Sequence, residues 1–269
     1  MNNAFKYLIL SVGAVVFAYP FLWMIASSFT PEARIGGFGI WPAAFTLHNY
    51  TEVFSRIPIG RAFVNSLVVS LATTTSVLVF GSAVGYALAR LSFAGRKILY
   101  AVILFTMTLP FQISLIPQYI LMVKLGITDT YLSLAAPSLM TALSIVLFRQ
   151  FFIHIPQALI DAARMDGCSD LRILFQLIWP LSRPVLLTVA ILTFMTSWND
   201  VLWPLIVVRE RTMMTMPQLV TLFTIGGEAE SLLGLELAAT TLLALPIILL
   251  YAFFQRYFIE SMTSTGIKG

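Results

Sequence analysis

Residues 7–29 read YLILSVGAVVFAYPFLWMIASSF, a run without one charged side chain. A helix needs about 20 apolar residues to cross the roughly 30 Å hydrocarbon layer of a bilayer, so this stretch by itself predicts a membrane span. Lys6 precedes it, as in a secretory signal, but the charge-free extent reaches Pro31. The apolar core of a signal peptide is only about 7–15 residues long, so the run is expected to be a retained first span.

Composition extends that reading to the whole chain. Of 269 residues 59% are apolar and 10% charged, with a mean hydropathy of +0.91. An ordinary soluble domain is about 45–50% apolar and about 25% charged, so too few polar residues exist here to cover a water-facing surface. The net charge of +4 comes from basic residues scattered between apolar runs. That pattern suits membrane lipids, whose anionic inner face orients helices, and argues against a nucleic-acid partner. Cys168 is the single cysteine, which excludes an intrachain disulfide and a multi-cysteine metal site. His48 and His154 lie in separate loops far apart in sequence.

Further charge-free runs occupy Phe63–Ala89, Ile98–Val123 and Tyr131–Phe148; another begins at Pro184 and continues past Asp200 to Val208, and the last covers Leu237–Gln255. The expected fold is therefore an all-α membrane protein of six transmembrane helices. Its 269 residues form one transmembrane domain: first span 7–29, outer loop 30–62, five-span core 63–255, cytoplasmic loop 149–183 and cytoplasmic tail 256–269. Even span number puts both termini on one side. With them inside, ten Lys and Arg residues are cytoplasmic and six are external, and the tight Arg90–Lys97 turn holds three cations without an acid. The positive-inside bias thus favours cytoplasmic N- and C-termini. The outer loop, with Gly36-Gly37, Pro42, Phe38, Trp41, Phe45 and Tyr50, reads as short interfacial helices.

The loop 149–183 is the most informative segment. Pro156 suits a helix start, where its missing N–H needs no partner, and Gly167 suits a helix end at positive φ. Ser169 or Asp170 can cap a second helix, Leu171–Trp179, that stops near Pro180. In the first helix Ala158, Leu159 and Ala162 share a narrow face beside Met165, since residues three and four apart are neighbours. Asp161 and Arg164 stand at its rim. Such a face either enters a groove on another protein or packs on its own bundle.

Polar residues within the spans are the candidates for a transport path, because lipid cannot satisfy them. Thr106, Thr108, Gln112, Ser114 and Gln118 surround Pro110 and Pro117, and these two prolines are expected to kink the third span. The alternative is a kinked helix packed on its neighbours. Asn199 and Asp200 interrupt the fifth run; Asp200 either faces a cavity or caps a helix break near Pro204. Gly81 and Gly85 have the small-xxx-small spacing of a close helix contact, in this chain or with another. No Gly-x-x-x-x-Gly-Lys-Ser/Thr loop is present to cradle ATP phosphates.

The segment Asp161-Ala162-Ala163, then Asp166-Gly167, Ile178, Pro180 and Pro184, resembles the Glu-Ala-Ala loop of ABC-importer permeases. Asp161 stands where that family usually has Glu, one methylene longer. Asn65-Ser66-Leu67, Tyr86-Ala87-Leu88-Ala89-Arg90, Ile116-Pro117, Trp198-Asn199-Asp200, Pro204-Leu205, Gln255-Arg256-Tyr257-Phe258 and Gly266-Ile267-Lys268-Gly269 are similar to MalG-type carbohydrate permeases. The resemblance covers nearly the whole chain. It implies the type I (MetI-like) importer permease fold in a bacterial or archaeal inner membrane. It also implies a second homologous permease, two cytoplasmic ATPase subunits and an external solute-binding protein. The chain would be a transport subunit and not an enzyme, with no cofactor of its own and with ATP and Mg on the ATPase subunits. Leu159, Asp161, Ala162, Ala163, Arg164, Asp166, Gly167 and Pro180 would couple it to them, and the solute would be a sugar or oligosaccharide, or else glycerol phosphate or a polyol. From another class, a self-contained secondary transporter or channel would be expected to carry more ionisable groups in its spans than Asp200.

Overall fold

The run that opens the sequence forms one helix, α1 (Asn3–Ser28), which passes through Pro20 unbroken. The computed structural model describes residues 3–36, 41, 44–227, 229 and 232–266, with the backbone alone for 3–4, 254 and 256–266. Gly37, Phe38, Pro42 and the final residues 267–269 lie outside the described residues, as do the side chains of Arg256, Tyr257 and Phe258. Among the described residues every regular element is helical.

After α1 come α2 (His48–Arg56) and α3 (Ile59–Ser76), and a π-turn at Val77–Gly81 joins α3 to α4 (Ser82–Arg90). Then follow α5 (Arg96–Thr106), α6 (Phe111–Leu125), α7 (Tyr131–Ala135), α8 (Ala142–Phe152) and α9 (Gln157–Met165). Next are α10 (Asp170–Arg172), α11 (Trp179–Leu181), α12 (Arg183–Trp198), α13 (Leu202–Val207), α14 (Met216–Ile225) and α15 (Leu233–Gly266). Three stretches are continuous, apolar and long enough to cross a membrane, Phe5–Ser28, Ile59–Arg90 and Leu233–Phe253. The count rises to six when three bent helix pairs are each taken as one span.

Those bends are where the chain departs from a reading of straight spans. Between α5 and α6 the axis turns by 100°, far more than a kink. Pro110 is extended, with φ −61° and ψ 131°, and a proline biases the residue before it away from helix. Pro117, by contrast, stays inside α6. Residues 131–138 meet α8 at 48°. The helix that begins at Asp170 ends at Leu181, next to Pro180, and α12 leaves it at 90°. A π-turn at Ile173–Ile178 lies just before Pro180, and its wider coil relieves the proline ring's clash with the preceding turn. The fifth run breaks at Asn199–Val201, between α12 and α13.

Packing divides the chain into two units, Met1–Phe63 with Thr215–Leu250, and Val64–Met214 with Tyr251–Gly269. In the first, Asn49 on α2 is buried and donates to the carbonyls of Ser28 (2.8 Å) and Thr30 (3.0 Å). The Phe29 ring packs between Phe45 and Tyr50, at 5.1 and 4.9 Å. Glu32 accepts from the N–H groups of Leu233 (2.9 Å) and Gly234 (2.6 Å), a carboxylate at the positive start of α15. The loop 30–62 is thus anchored through α2 at one end and Glu32 at the other. None of the most apolar 18-residue window of α1 is buried, and Phe17 is 79% exposed, as a lipid-facing helix requires.

The second unit holds two apolar clusters. Phe148, Phe152, Ile155, Ile160, Ile173, Leu174 and Ile178 form one with Val77 and Val189; Trp203, Val207, Met122 and Leu134 form the other with Val69. Lipid tails are as apolar as leucine, so burial alone does not bring such helices together; close packing and paired polar groups do. Gly81 and Gly85 provide the packing. A Cβ on Gly85 would stand 2.6 Å from Cβ of Phe148, and one on Gly81 2.8 Å from the Ser144 hydroxyl oxygen. The helix these glycines admit is α8 of the same chain, which the spacing alone left open.

Candidate functional site

The segment 149–183 builds its first helix as its punctuation residues require. Pro156, at φ −57° and ψ 130°, precedes the first turn of α9. At the other end Gly167 takes φ +79°, a left-handed conformation costly for residues with a Cβ. Its N–H donates to the Arg164 carbonyl and that of Cys168 to the Ala163 carbonyl, both at 3.0 Å. This paired closure is the Schellman motif. Ser169, not Asp170, caps the next helix, accepting from the Arg172 N–H at 3.4 Å.

α9 has two unlike faces. Ile160 is fully buried in the cluster of Phe148 and Phe152, and Ala163 packs against the same cluster. Ala158, Leu159, Asp161, Ala162, Arg164, Met165 and Asp166 are exposed, Met165 at 84%. The small-residue face read from the sequence therefore points away from the chain's own core. Asp161 is held from behind by Gln157, whose amide donates to it at 2.9 Å. Pro180 is exposed on the helix that follows.

The buried side of the loop is tied to α4 by polar contacts that sequence reading did not single out. Arg90 ends α4, and its guanidinium donates to the Phe152 carbonyl at 3.0 and 2.6 Å, to the Ile155 carbonyl, and to the Gln157 side chain at 3.1 Å. One cation thereby gathers the end of α8 and the start of α9. Four residues earlier the Tyr86 hydroxyl donates to Asp170 at 3.4 Å, and the same carboxylate oxygen takes the Arg164 guanidinium at 3.0 Å. The Asp170 hydrogen bond holds Arg164 above its ordinary guanidinium range. The ion pair is partly solvated and contributes at most about 1 kcal/mol; its effect is orientation. Trp179 donates to the Ser82 hydroxyl at 3.0 Å. Ser82, Tyr86 and Arg90 recur every fourth residue and so line one face of α4. The signal in the sequence is a cation that closes an apolar helix with no acid beside it.

The transport-path candidates have mostly local partners. Thr108 donates to the Phe105 carbonyl and Ser114 to the Phe111 carbonyl, each at 2.8 Å. Gln118 donates to the Ser114 hydroxyl at 3.2 Å, while its own carbonyl oxygen is buried without a partner. Gln112 is exposed. Asn199 donates to the Met195 carbonyl at 2.8 Å, closing α12. Asp200 accepts from the Trp203 N–H at 3.4 Å and so caps the start of α13. The structure brings Ser114 and Gln118 together. Asn199 and Asp200 instead mark a helix break.

Nearby, Asn65 is buried, donates to the carbonyls of Thr212 and Met214 at 2.9 Å, and accepts from the Tyr131 hydroxyl at 2.7 Å. It staples segments that are remote in sequence. No group of three or more His, Cys, Asp or Glu able to hold a metal ion occurs among the described residues.

The chain is similar in sequence and fold to known proteins. Residues 77–264 match the family described as the binding-protein-dependent transport system inner membrane component. The chain is 37% identical over 262 residues to the arabinooligosaccharides transport system permease protein AraQ of Halalkalibacterium halodurans, covering 95% of this chain and 93% of that one. It is 32% identical to the trehalose transport system permease protein SugB of Mycobacterium tuberculosis, over 93% and 92% of the two chains. A solved bacterial ABC transporter involved in importing the acidic polysaccharide alginate has a chain of the same fold. Its TM-score is 0.82 at 24% identity, over 95% of this chain and 96% of that one. The matched region contains α4, α8 and the whole α9 loop, and the chain belongs to the family of binding-protein-dependent transport system inner membrane components.

Proposed function

We propose that this permease is half of the pore of an ATP-driven importer for a sugar or oligosaccharide. It crosses the membrane six times with both termini and the loop 149–183 in the cytoplasm. A second, homologous permease completes the pore, two ATPase subunits bind below it with ATP and Mg, and an external solute-binding protein delivers the solute. The observation that carries this reading is the two-faced α9. Its Ala158–Leu159–Ala162–Met165 face is exposed and narrow enough for a groove, while its other face and Arg90 fasten it to α8 and α4. Force applied to the outer face is thus delivered to two spans as a rigid-body displacement. Relatives that carry arabinooligosaccharides and trehalose support the solute class. A more distant relative of 27% identity is a glycerol-3-phosphate permease protein, which keeps that solute as the second reading.

The experiment is affinity purification of the tagged chain from its own membrane, alongside an Ala162→Trp variant. The wild type should retain an ATPase and a second permease. The tryptophan, placed on the outer face, should remove the ATPase and leave the chain folded. A chain that transports solute alone, or a variant that keeps its ATPase and full uptake, would overturn the proposal.

A further inference from the structure

The turn that links α4 to α5 opens into a cleft of about 810 Å³ lined by Ser92, Phe93, Arg96, Lys97, Tyr100 and, from α8, Arg149. No carboxylate lines it. Arg149 lies over the Tyr100 ring, 3.9 Å from its centroid, a cation–π contact that holds the guanidinium in place. Its Nε–H is buried with no hydrogen-bond partner, and a buried charged donor in that state is costly unless an acceptor meets it. α5 begins at the same cleft, with no side-chain cap and no acidic residue in its first turn. Its positive end adds to the three cations.

An apolar track leaves the cleft along α5. Ile98, Val102 and Phe105 are 72%, 52% and 62% exposed, and their spacing of four and three places them on one helix face. A cationic cleft continuous with an exposed apolar stripe suits an amphiphile whose head is an anion. We infer that this cleft binds the phosphodiester headgroup of an anionic phospholipid, with an acyl chain along Ile98, Val102 and Phe105. Arg96, Lys97 and Arg149 meet the phosphate, and Tyr100 positions Arg149. A free phosphate would share the cations but not the track. The inference needs only that the chain lies in a membrane, and is independent of which subunits it assembles with.

The test is native mass spectrometry of the tagged chain, with whatever subunits it retains, titrated with dioleoyl-phosphatidylglycerol, dioleoyl-phosphatidylcholine or inorganic phosphate. Phosphatidylglycerol should bind roughly tenfold or more tighter than phosphatidylcholine: both offer phosphodiester oxygens, but only phosphatidylcholine brings a quaternary ammonium, which the three cations repel. Lys97→Gln and Arg149→Gln should each remove most of that preference, and Lys124→Gln, at the far end of α6, should not. Lys97 is exposed, so its variant tests the idea without endangering the fold. Equal affinity for the two lipids, or a preference that survives both variants, would overturn the inference. Competition by inorganic phosphate at equal concentration would assign the cleft to a free anion. Absence of lipid from an assembled complex would assign it to a protein partner.

Discussion

Replacing Arg90 by Met tests whether one side chain fastens the α9 loop to the span that ends beside it. Methionine keeps much of the aliphatic stem and removes every donor. The guanidinium reaches two backbone carbonyls, Phe152 and Ile155, and the Gln157 side chain. Each hydrogen bond to a charged group contributes about 1.5–3 kcal/mol, but those sharing one cation are not additive. Water also reaches the Gln157 end, where the contact is exposed. The cation at the C-terminal end of α8 adds about 0.3–1 kcal/mol through the helix dipole. The net loss works out at about 2–4 kcal/mol, confined to the junction of α8 and α9. At 1.4 kcal/mol per decade this is roughly a 30- to 700-fold rise in local opening. Amide hydrogen exchange of the detergent-solubilised chain reads it directly. Exchange should accelerate by that factor from Ile155 through Gly167, whereas amides of α8 around Ser144–Phe148, packed on Gly81 and Gly85, should keep their rates. Unchanged exchange in α9 would refute the fastening role, and uniform acceleration would show a general loss of stability instead.

Gly85→Val should lower the melting temperature, because its Cβ would stand 2.6 Å from that of Phe148 and α4 and α8 must part; overpacking costs about 1–3 kcal/mol. Gly81→Ala should cost less, since the atom it meets is the Ser144 hydroxyl, which can rotate, and equal melting shifts would contradict the packing described. At Gly167, held at φ +79°, Asn should be tolerated and Val should not. A β-branched residue there loses about 1–2 kcal/mol or more. Uptake per ATP in reconstituted importers should follow that order, and equal coupling by both variants would count against a role for this bend.

Much of the molecule was legible without coordinates, and for a physical reason. The apolar runs mark the helices because a bilayer offers the backbone no other partner, and α1 and Ile59–Arg90 fall where the charge-free stretches place them. Pro156 and Gly167 bound α9 because each acts through its own backbone geometry. The caps at Ser169 and Asp200 are local too, reaching only three residues along, but the sequence left Asp170 and a cavity-facing Asp200 as alternatives. The proline-associated break was visible too, although not its size: Pro110 and Pro117 look alike in sequence, yet one begins a helix after a 100° turn and the other sits within it.

What tertiary structure decided is which faces meet. Gly81 and Gly85 could have faced any helix; the fold puts α8 there. Arg90 and Phe152 are 62 residues apart and Tyr86 and Asp170 are 84 apart, so no local pattern pairs them. The same holds for Arg149 over Tyr100 and for Asn65 between Tyr131 and Met214. The length of a charge-free apolar run determines that a helix lies in lipid and roughly where it ends. It leaves the rotation of each helix about its axis undetermined, because lipid and protein neighbours are equally apolar. Close-fitting small residues and a few polar contacts between distant segments set that rotation, and those contacts form only when the helices are already side by side.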